Sequence, residues 1–263
     1  MKLYDFDGMF DEKLSEYIAR NSSKYKENEW EDIIPELYRR FGDTPIKSLG
    51  KSPKEYYTEM DDAELIKCLK SHLKHGVPVS EFLCAAIESR NAAEQLLPLL
   101  DGTQDEVEYG MTLIGADPVA IDKYLDMLVS SSDKDMKDRC ADFIKENADL
   151  VLKKAVAYYN GGTDKEYMLE IMSRAIQRSD EVFSILVNEF LSDPDEVPMH
   201  ASYLAAYGDV KALPYLLDKI DEEDISFIEY QELKFAIEAL GGEYTKERDF
   251  SDDPYFKLIK PNG

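Results

Sequence analysis

The sequence predicts an all-α protein, and three observations carry that expectation. Apolar residues recur at intervals of three and four along nearly all of the 263 residues, the period of a helix buried on one side. Runs that alternate apolar and polar residues, the mark of a half-buried strand, are almost absent. From about residue 61 onward, one pattern of helix start and apolar stripe returns roughly every thirty residues.

The chain opens with "MKLYDFDGMFDEKL", which has acidic residues where a signal peptide needs an apolar core, so export by that route is not expected. Within it, "YDFDG" at 4–8 is similar to the Asp-x-Asp-Gly of haloacid-dehalogenase-type phosphatases. That chemistry needs an apolar strand to aim both carboxylates at magnesium, and only "MKL" precedes them. A solvated acidic N-terminus is the expectation. In "NEWEDIIPELYRRFG", Trp30, Ile33, Ile34, Leu37, Tyr38 and Phe41 share one helix face, with Asn28 and Glu31 as a capping box and Gly42 as the stop. Further boxes are read at Ser52–Glu55, with Pro53 at the first helical position, at Asp61–Glu64 and at Thr163–Glu166. The aperiodic "DTPIKSLGKSP" reads as an extended connector. It closes an N-terminal helical segment over residues 1–57 and leaves 58–263 as an α-solenoid.

Four stretches align: "GADPVAIDKYLDML", "NADLVLKKAVAYY", "RSDEVFSILVNEF" and "YGDVKALPYLLDKI". Their aspartates, Asp117, Asp149, Asp180 and Asp209, are 32, 31 and 29 residues apart. Each is expected to cap the helix that follows, where free N–H groups and the helix dipole favour a carboxylate. A second amphipathic stretch follows each: "MKDRCADFI", "EYMLEIMSRAI", "VPMHASYLAAY" and "YQELKFAIEALGG". A looser copy runs from "SRNAAEQLLPLLDG" into "EVEYGMTLIGAD". Pro214 sits five residues after Asp209, still in the opening turns of its helix. A missing N–H is tolerated there far better than in a helix interior, where it costs about 3 kcal/mol. Pro98 in "LLPLL" occupies nearly the same slot.

On these residues the chain resembles the HEAT-like repeats of bacteria, the type also found in phycobilin lyases. The matching positions are Gly208, Asp209, Ala212, Leu213, Pro214, Leu216 and Leu217, then Ala236, Ala239, Leu240 and Gly241. The match is best over 200–242, weaker over 92–199 and absent over 1–60. The resemblance implies a solenoid of roughly six HEAT-like helix pairs. It also implies a choice among that family's activities, which include scaffolds, lyases and DNA-repair glycosylases.

Charge narrows the choice. The net charge is −24, with residues 1–60 carrying 13 acidic and 10 basic side chains (−3) and the remainder 42 and 21 (−21). Such a surface repels phosphate backbones and anionic headgroups, so neither nucleic acid nor membrane is an expected partner. No Lys/Arg run is present to build a basic stripe. No apolar run approaches the roughly 20 residues that span a bilayer. Cys68, Cys84 and Cys140 lack C-x-x-C spacing and suit reduced thiols, so a cytoplasmic location is expected.

Cys68, His72 and His75 in "CLKSHLKH" share a helix face at i, i+4 and i+7, and all three are of types that ligate zinc. That face lies about 110° from the apolar face of Leu65, Ile66, Leu69 and Leu73, so a boundary flank is expected rather than a metal site. No nucleotide-binding glycine loop, nucleophile motif or cofactor signature is present. The acidic "DEEDISFIE" lacks EF-hand spacing and reads as a solvated loop. On "VPMHASYLAAY", His200, Tyr203 and Tyr207 fall at i, i+3 and i+7; Arg174 and Arg178 take the matching positions one unit earlier. Tyrosine and arginine are enriched where proteins bind partners, so these five are the candidate partner-binding residues. The expected function is a non-enzymatic protein–protein interaction module with an acidic surface that suits a basic partner. The alternative is a HEAT-like lyase or a DNA glycosylase-type enzyme.

Overall fold

The computed structural model describes residues 2–259, which contain helices and turns but no strand, only one isolated bridge between Ile46 and Lys51. The architecture is all-α. Two compact units part between Ala120 and Ile121.

The first unit holds α1 (Phe6–Asn21), α2 (Trp30–Gly42), α3 (Pro53–Thr58), α4 (Asp62–His75), α5 (Glu81–Glu88), α6 (Ala93–Leu96) and α7 (Gln104–Ile114). Two expected capping boxes form. The Ser52 hydroxyl accepts from the Glu55 N–H at 3.2 Å while the Glu55 carboxylate accepts from the Ser52 N–H at 2.8 Å. Asp61 and Glu64 repeat the exchange at 2.8 and 3.1 Å. The box expected at Asn28 lies two residues earlier, where Glu29 accepts from the Lys26 N–H at 2.6 Å and opens a 3-10 turn ahead of α2.

The acidic start is not merely solvated. Asp5 caps α1 by accepting from the Gly8 N–H at 2.8 Å, Asp7 accepts from the Tyr38 hydroxyl at 2.6 Å, and Phe6 between them is fully buried. Both carboxylates of the phosphatase-like motif are thus engaged in holding α1 and α2. The stretch 43–53 doubles back instead of extending: the Ile46 N–H donates to the Lys51 carbonyl at 2.9 Å around Gly50, whose φ of 73° suits glycine.

The second unit holds α8 (Ile121–Ser130), α9 (Lys134–Lys145), α10 (Leu152–Asn160), α11 (Lys165–Ser173), α12 (Asp180–Ser192), α13 (Val197–Tyr207), α14 (Leu213–Ile220), α15 (Phe227–Ala239) and α16 (Pro254–Ile259). Four helix pairs, α8/α9, α10/α11, α12/α13 and α14/α15, follow one another, and α9, α11, α13 and α15 pack in succession. Polar bonds between pairs reach about one repeat along the chain. Lys154 meets Asp122 at 2.8 Å, Lys137 meets Asp164 at 2.5 Å, and Tyr167 donates to Asp138 at 2.5 Å, across 32, 27 and 29 residues. The consequence shows in α11, which buries Met168, Leu169, Ile171, Met172 and Ser173 because helices cover it on both sides. This is a stacked helical-repeat arrangement, in which each pair hides its apolar side against the next.

The aligned aspartates divide into two roles. Asp117 and Asp209 cap as expected, accepting from the N–H two residues on (Val119 and Lys211) at 3.0 Å and opening a single 3-10 turn. Asp149 and Asp180 instead tie neighbouring pairs together. Asp149 accepts from the Gln177 N–H at 2.9 Å, and Asp180 pairs with Lys211 at 3.2 Å while Ser179 caps α12. The Thr163–Glu166 box does not form, because α11 starts behind Asp164, whose carboxylate is held by Lys137. Pro214 is the second residue of α14, which begins afresh after the 3-10 turn Val210–Ala212, so the N–H it lacks has no helical acceptor to lose. The tail covers the last pair: Asp253 accepts from the Phe227 N–H at 3.0 Å, and Tyr230 donates to the Lys246 carbonyl at 2.9 Å.

Candidate functional site

The zinc-like trio does not converge. Cys68 and His72 are fully buried on the inner side of α4, where the His72 Nδ1 lies 2.8 Å from the Pro78 carbonyl. A carbonyl only accepts, so Nδ1 carries the proton and Nε2 is left without a partner in the core. His75 is exposed and bonded through Nδ1 to the Ser71 carbonyl at 2.8 Å. Among the described residues no group of three His, Cys, Asp or Glu side chains is arranged to hold a metal ion.

The thiols are poor nucleophiles. Burial pushes Cys68 and Cys84 up to about 11 and Cys140 up to about 12. The thiolate is the reacting form, so these groups are silent near neutrality. A thiol reagent at pH 8 is expected to leave Cys68 and Cys140 unlabelled in the native chain and to label all three cysteines in urea; rapid native labelling would refute this. The sign of the linkage follows. Each thiol's pKa is raised in the fold, so its contribution to stability is complete below the roughly 8.5 of an unfolded thiol and is lost as pH climbs towards 11–12. The urea midpoint should therefore fall between pH 7 and pH 10.

The five candidate partner-binding residues separate into two groups. His200 and Tyr207 are interior. The His200 Nε2 sits 3.6 Å from an Asp193 carboxylate oxygen, too far for a hydrogen bond, and its ring meets that of Tyr203 edge-on at 6.0 Å. The Tyr207 hydroxyl accepts from the Ser179 N–H at 2.7 Å and donates to the Ser179 carbonyl at 3.2 Å, tying α13 to the start of α12. Arg178 lies over the Tyr207 ring, 4.6 Å from its centroid, and donates to the Ala175 carbonyl at 2.7 Å. It is exposed on its outer side, along a groove of about 880 Å³ that Lys153, Lys154 and Gln177 also line.

Tyr203 and Arg174 remain at the surface of the α11–α13 row. Burial first, and then the charges of Glu170, Glu166 and Glu196, push the Tyr203 hydroxyl up to about 12, with Arg174 opposing. The ring is half-buried, and its hydroxyl feels the charges of three carboxylates and one cation. Along the same row, Lys145 is held between Asp142 at 2.8 Å and Glu170 at 2.6 Å. Helical spacing singles out Tyr203 and repeat alignment singles out Arg174; Glu166 and Glu170 lie one turn apart on α11, whereas Glu196 comes from the turn before α13, which no spacing rule brings to them.

No described helix is long and apolar enough to cross a membrane. No family model matches the chain, and no curated protein or solved structure matches it either.

Proposed function

We propose that this chain is a non-enzymatic interaction module whose helix pairs are HEAT-like repeats and whose Tyr203 surface holds a basic segment of a partner protein. The observation that carries the reading is the half-buried Tyr203 ring on α13, packed beside α11, with the exposed Glu166 of α11 and Glu196 of the preceding turn among the charges that act on its hydroxyl. An aromatic side chain supplies contact area with little entropy to lose, and a carboxylate rim steers a cation to it. A lysine or arginine of the partner would lay its stem on the ring and its charge among the carboxylates. The net charge of −24 adds long-range attraction for the same class of partner.

The test is capture from lysate at low and high salt, with Y203A and E166K/E196K beside the wild type. Glu166 and Glu196 are exposed, so their replacement leaves the packing intact. A protein retained by the wild type, released by salt and lost by both variants supports the proposal. Recovery of no salt-sensitive partner, or retention that both variants preserve, overturns it.

A further inference from the structure

Between Lys54 and Lys123 the sequence holds fourteen acidic residues but only four Lys or Arg, namely Lys67, Lys70, Lys74 and Arg90. Three of those four stand on α4 at i, i+3 and i+7, inside an arc of about 60° on the helix. No run of basic residues announces this; helical spacing builds the basic stripe that a linear reading does not see. The buried side of α4 is occupied by Leu65, Cys68, Leu69 and His72. The three lysines line a groove of about 440 Å³ together with Ala63, Ile66, Ser71, Gln95 and Pro98. None of the residues lining it is acidic.

Like charges at helical spacing repel by a few tenths of a kcal/mol per pair, and acidic neighbours ordinarily relieve that repulsion. Here relief is partial. Lys70 lies 3.8 Å from Glu106, whose carboxylate also accepts from the Thr103 N–H at 2.9 Å as the cap of α7. Lys67 and Lys74 are exposed and have no ion pair among the described residues. In a segment so rich in carboxylates, a cationic groove without them leaves its countercharge to be supplied from outside.

We propose that this groove docks an acidic peptide segment of a partner protein, one that carries an apolar side chain among its carboxylates. The carboxylates would lie on Lys67, Lys70 and Lys74, the apolar group on Ile66 and Pro98, and the Gln95 amide would bond to the peptide backbone. Lysine ammonium groups act as mobile point charges instead of planar forks, so the groove selects charge and an apolar anchor more than one fixed geometry. A long polyanion such as nucleic acid would meet the field of the remaining carboxylates. A short peptide lies within about 8 Å of the lysines, inside the screening length at physiological salt. The chain would then carry two docking surfaces of opposite polarity, and this one stands independently of the Tyr203 reading.

The experiment is fluorescence anisotropy with a labelled Asp/Glu-rich peptide containing one leucine. A Lys-rich peptide and a short single-stranded DNA serve as controls, against the full chain and its K67E/K74E variant. Circular dichroism should be unchanged in the variant, because both side chains are solvent-facing. The expected result is salt-sensitive binding of the acidic peptide that falls by at least about tenfold in K67E/K74E and is unaffected in Y203A. Absent binding, equal binding by K67E/K74E, or DNA bound as tightly as the peptide would each overturn the proposal. So would low-salt self-association of the wild type that K67E/K74E abolishes, since the occupant would then be a second copy of the chain.

Discussion

Replacing Tyr207 by alanine is expected to lower the stability of the unit that follows Ala120 by about 3–5 kcal/mol, the range for deleting a large buried aromatic side chain. The ring is wholly buried and lies beneath Arg178, and its hydroxyl exchanges two hydrogen bonds with the Ser179 backbone. Ser179 is the cap of α12, so one side chain joins the end of α13 to the start of the helix before it. Tyr207→Phe separates the two contributions. It keeps the ring but strands the Ser179 N–H in a partly buried setting, at a cost of about 1–3 kcal/mol. Arg178→Ala should lose the exposed cation–π contact, about 0.5–1 kcal/mol, together with the hydrogen bond to the Ala175 carbonyl. Urea unfolding followed by circular dichroism measures all three, and hydrogen exchange should show the loss of protection centred on α12 and α13. If Tyr207→Ala left the urea midpoint unchanged and abolished partner capture, Tyr207 would be a surface anchor and the packing role would be wrong. Tyr203→Ala should give the opposite pattern, with capture lost and the midpoint nearly unmoved.

That contrast marks what was legible in the sequence. The stretch "VPMHASYLAAY" reads as a helix, and α13 spans those same residues, Val197–Tyr207. The boxes at Ser52 and Asp61 are local chemistry, with donor and acceptor three residues apart, and both form. Periodicity finds the apolar stripe of an isolated helix, yet α13 has α11, α12 and α15 against it and therefore buries more than one stripe. Tyr203 and Tyr207, four residues apart, look alike on a helical wheel; only the neighbour holding Ser179 distinguishes them. Repeat alignment puts Arg178 at the position of Tyr207, one unit earlier. In the fold α11 ends at Ser173, and Arg178 comes back from a loop onto Tyr207. The aligned aspartates carry the same lesson. An identical letter caps where its own helix offers a free N–H two residues on, and bridges where the next pair presents Gln177 or Lys211 first.

Phe6→Ala should be comparably damaging in the other unit, again by about 3–5 kcal/mol. Phe6 is fully buried, stacked with Tyr4 at 5.6 Å between ring centroids and edge-on to Tyr56 at 5.8 Å and Tyr57 at 5.5 Å. Each such pair adds about 0.5–1.5 kcal/mol beyond area burial. Phe6→Leu retains much of the apolar volume without the ring edges, so a smaller loss there would assign the difference to ring geometry. Phe6 also stands between the Asp5 cap and Asp7, and Asp7 accepts from the Tyr38 hydroxyl. Burial first, and then that carboxylate, hold Tyr38 well above the ordinary tyrosine range. A tyrosine raised in the fold stabilises fully below the unfolded value near 10, and the contribution disappears as pH rises past it. Releasing the start of α1 should therefore bring Tyr38 back towards ordinary titration and make the variant less sensitive to alkali relative to its own stability at pH 7. Spectrophotometric titration of the phenolic hydroxyls of wild type and Phe6→Ala reads this directly. A tyrosine titration curve unchanged by Phe6→Ala would show that the aromatic cluster and the Asp7–Tyr38 bond hold α1 independently.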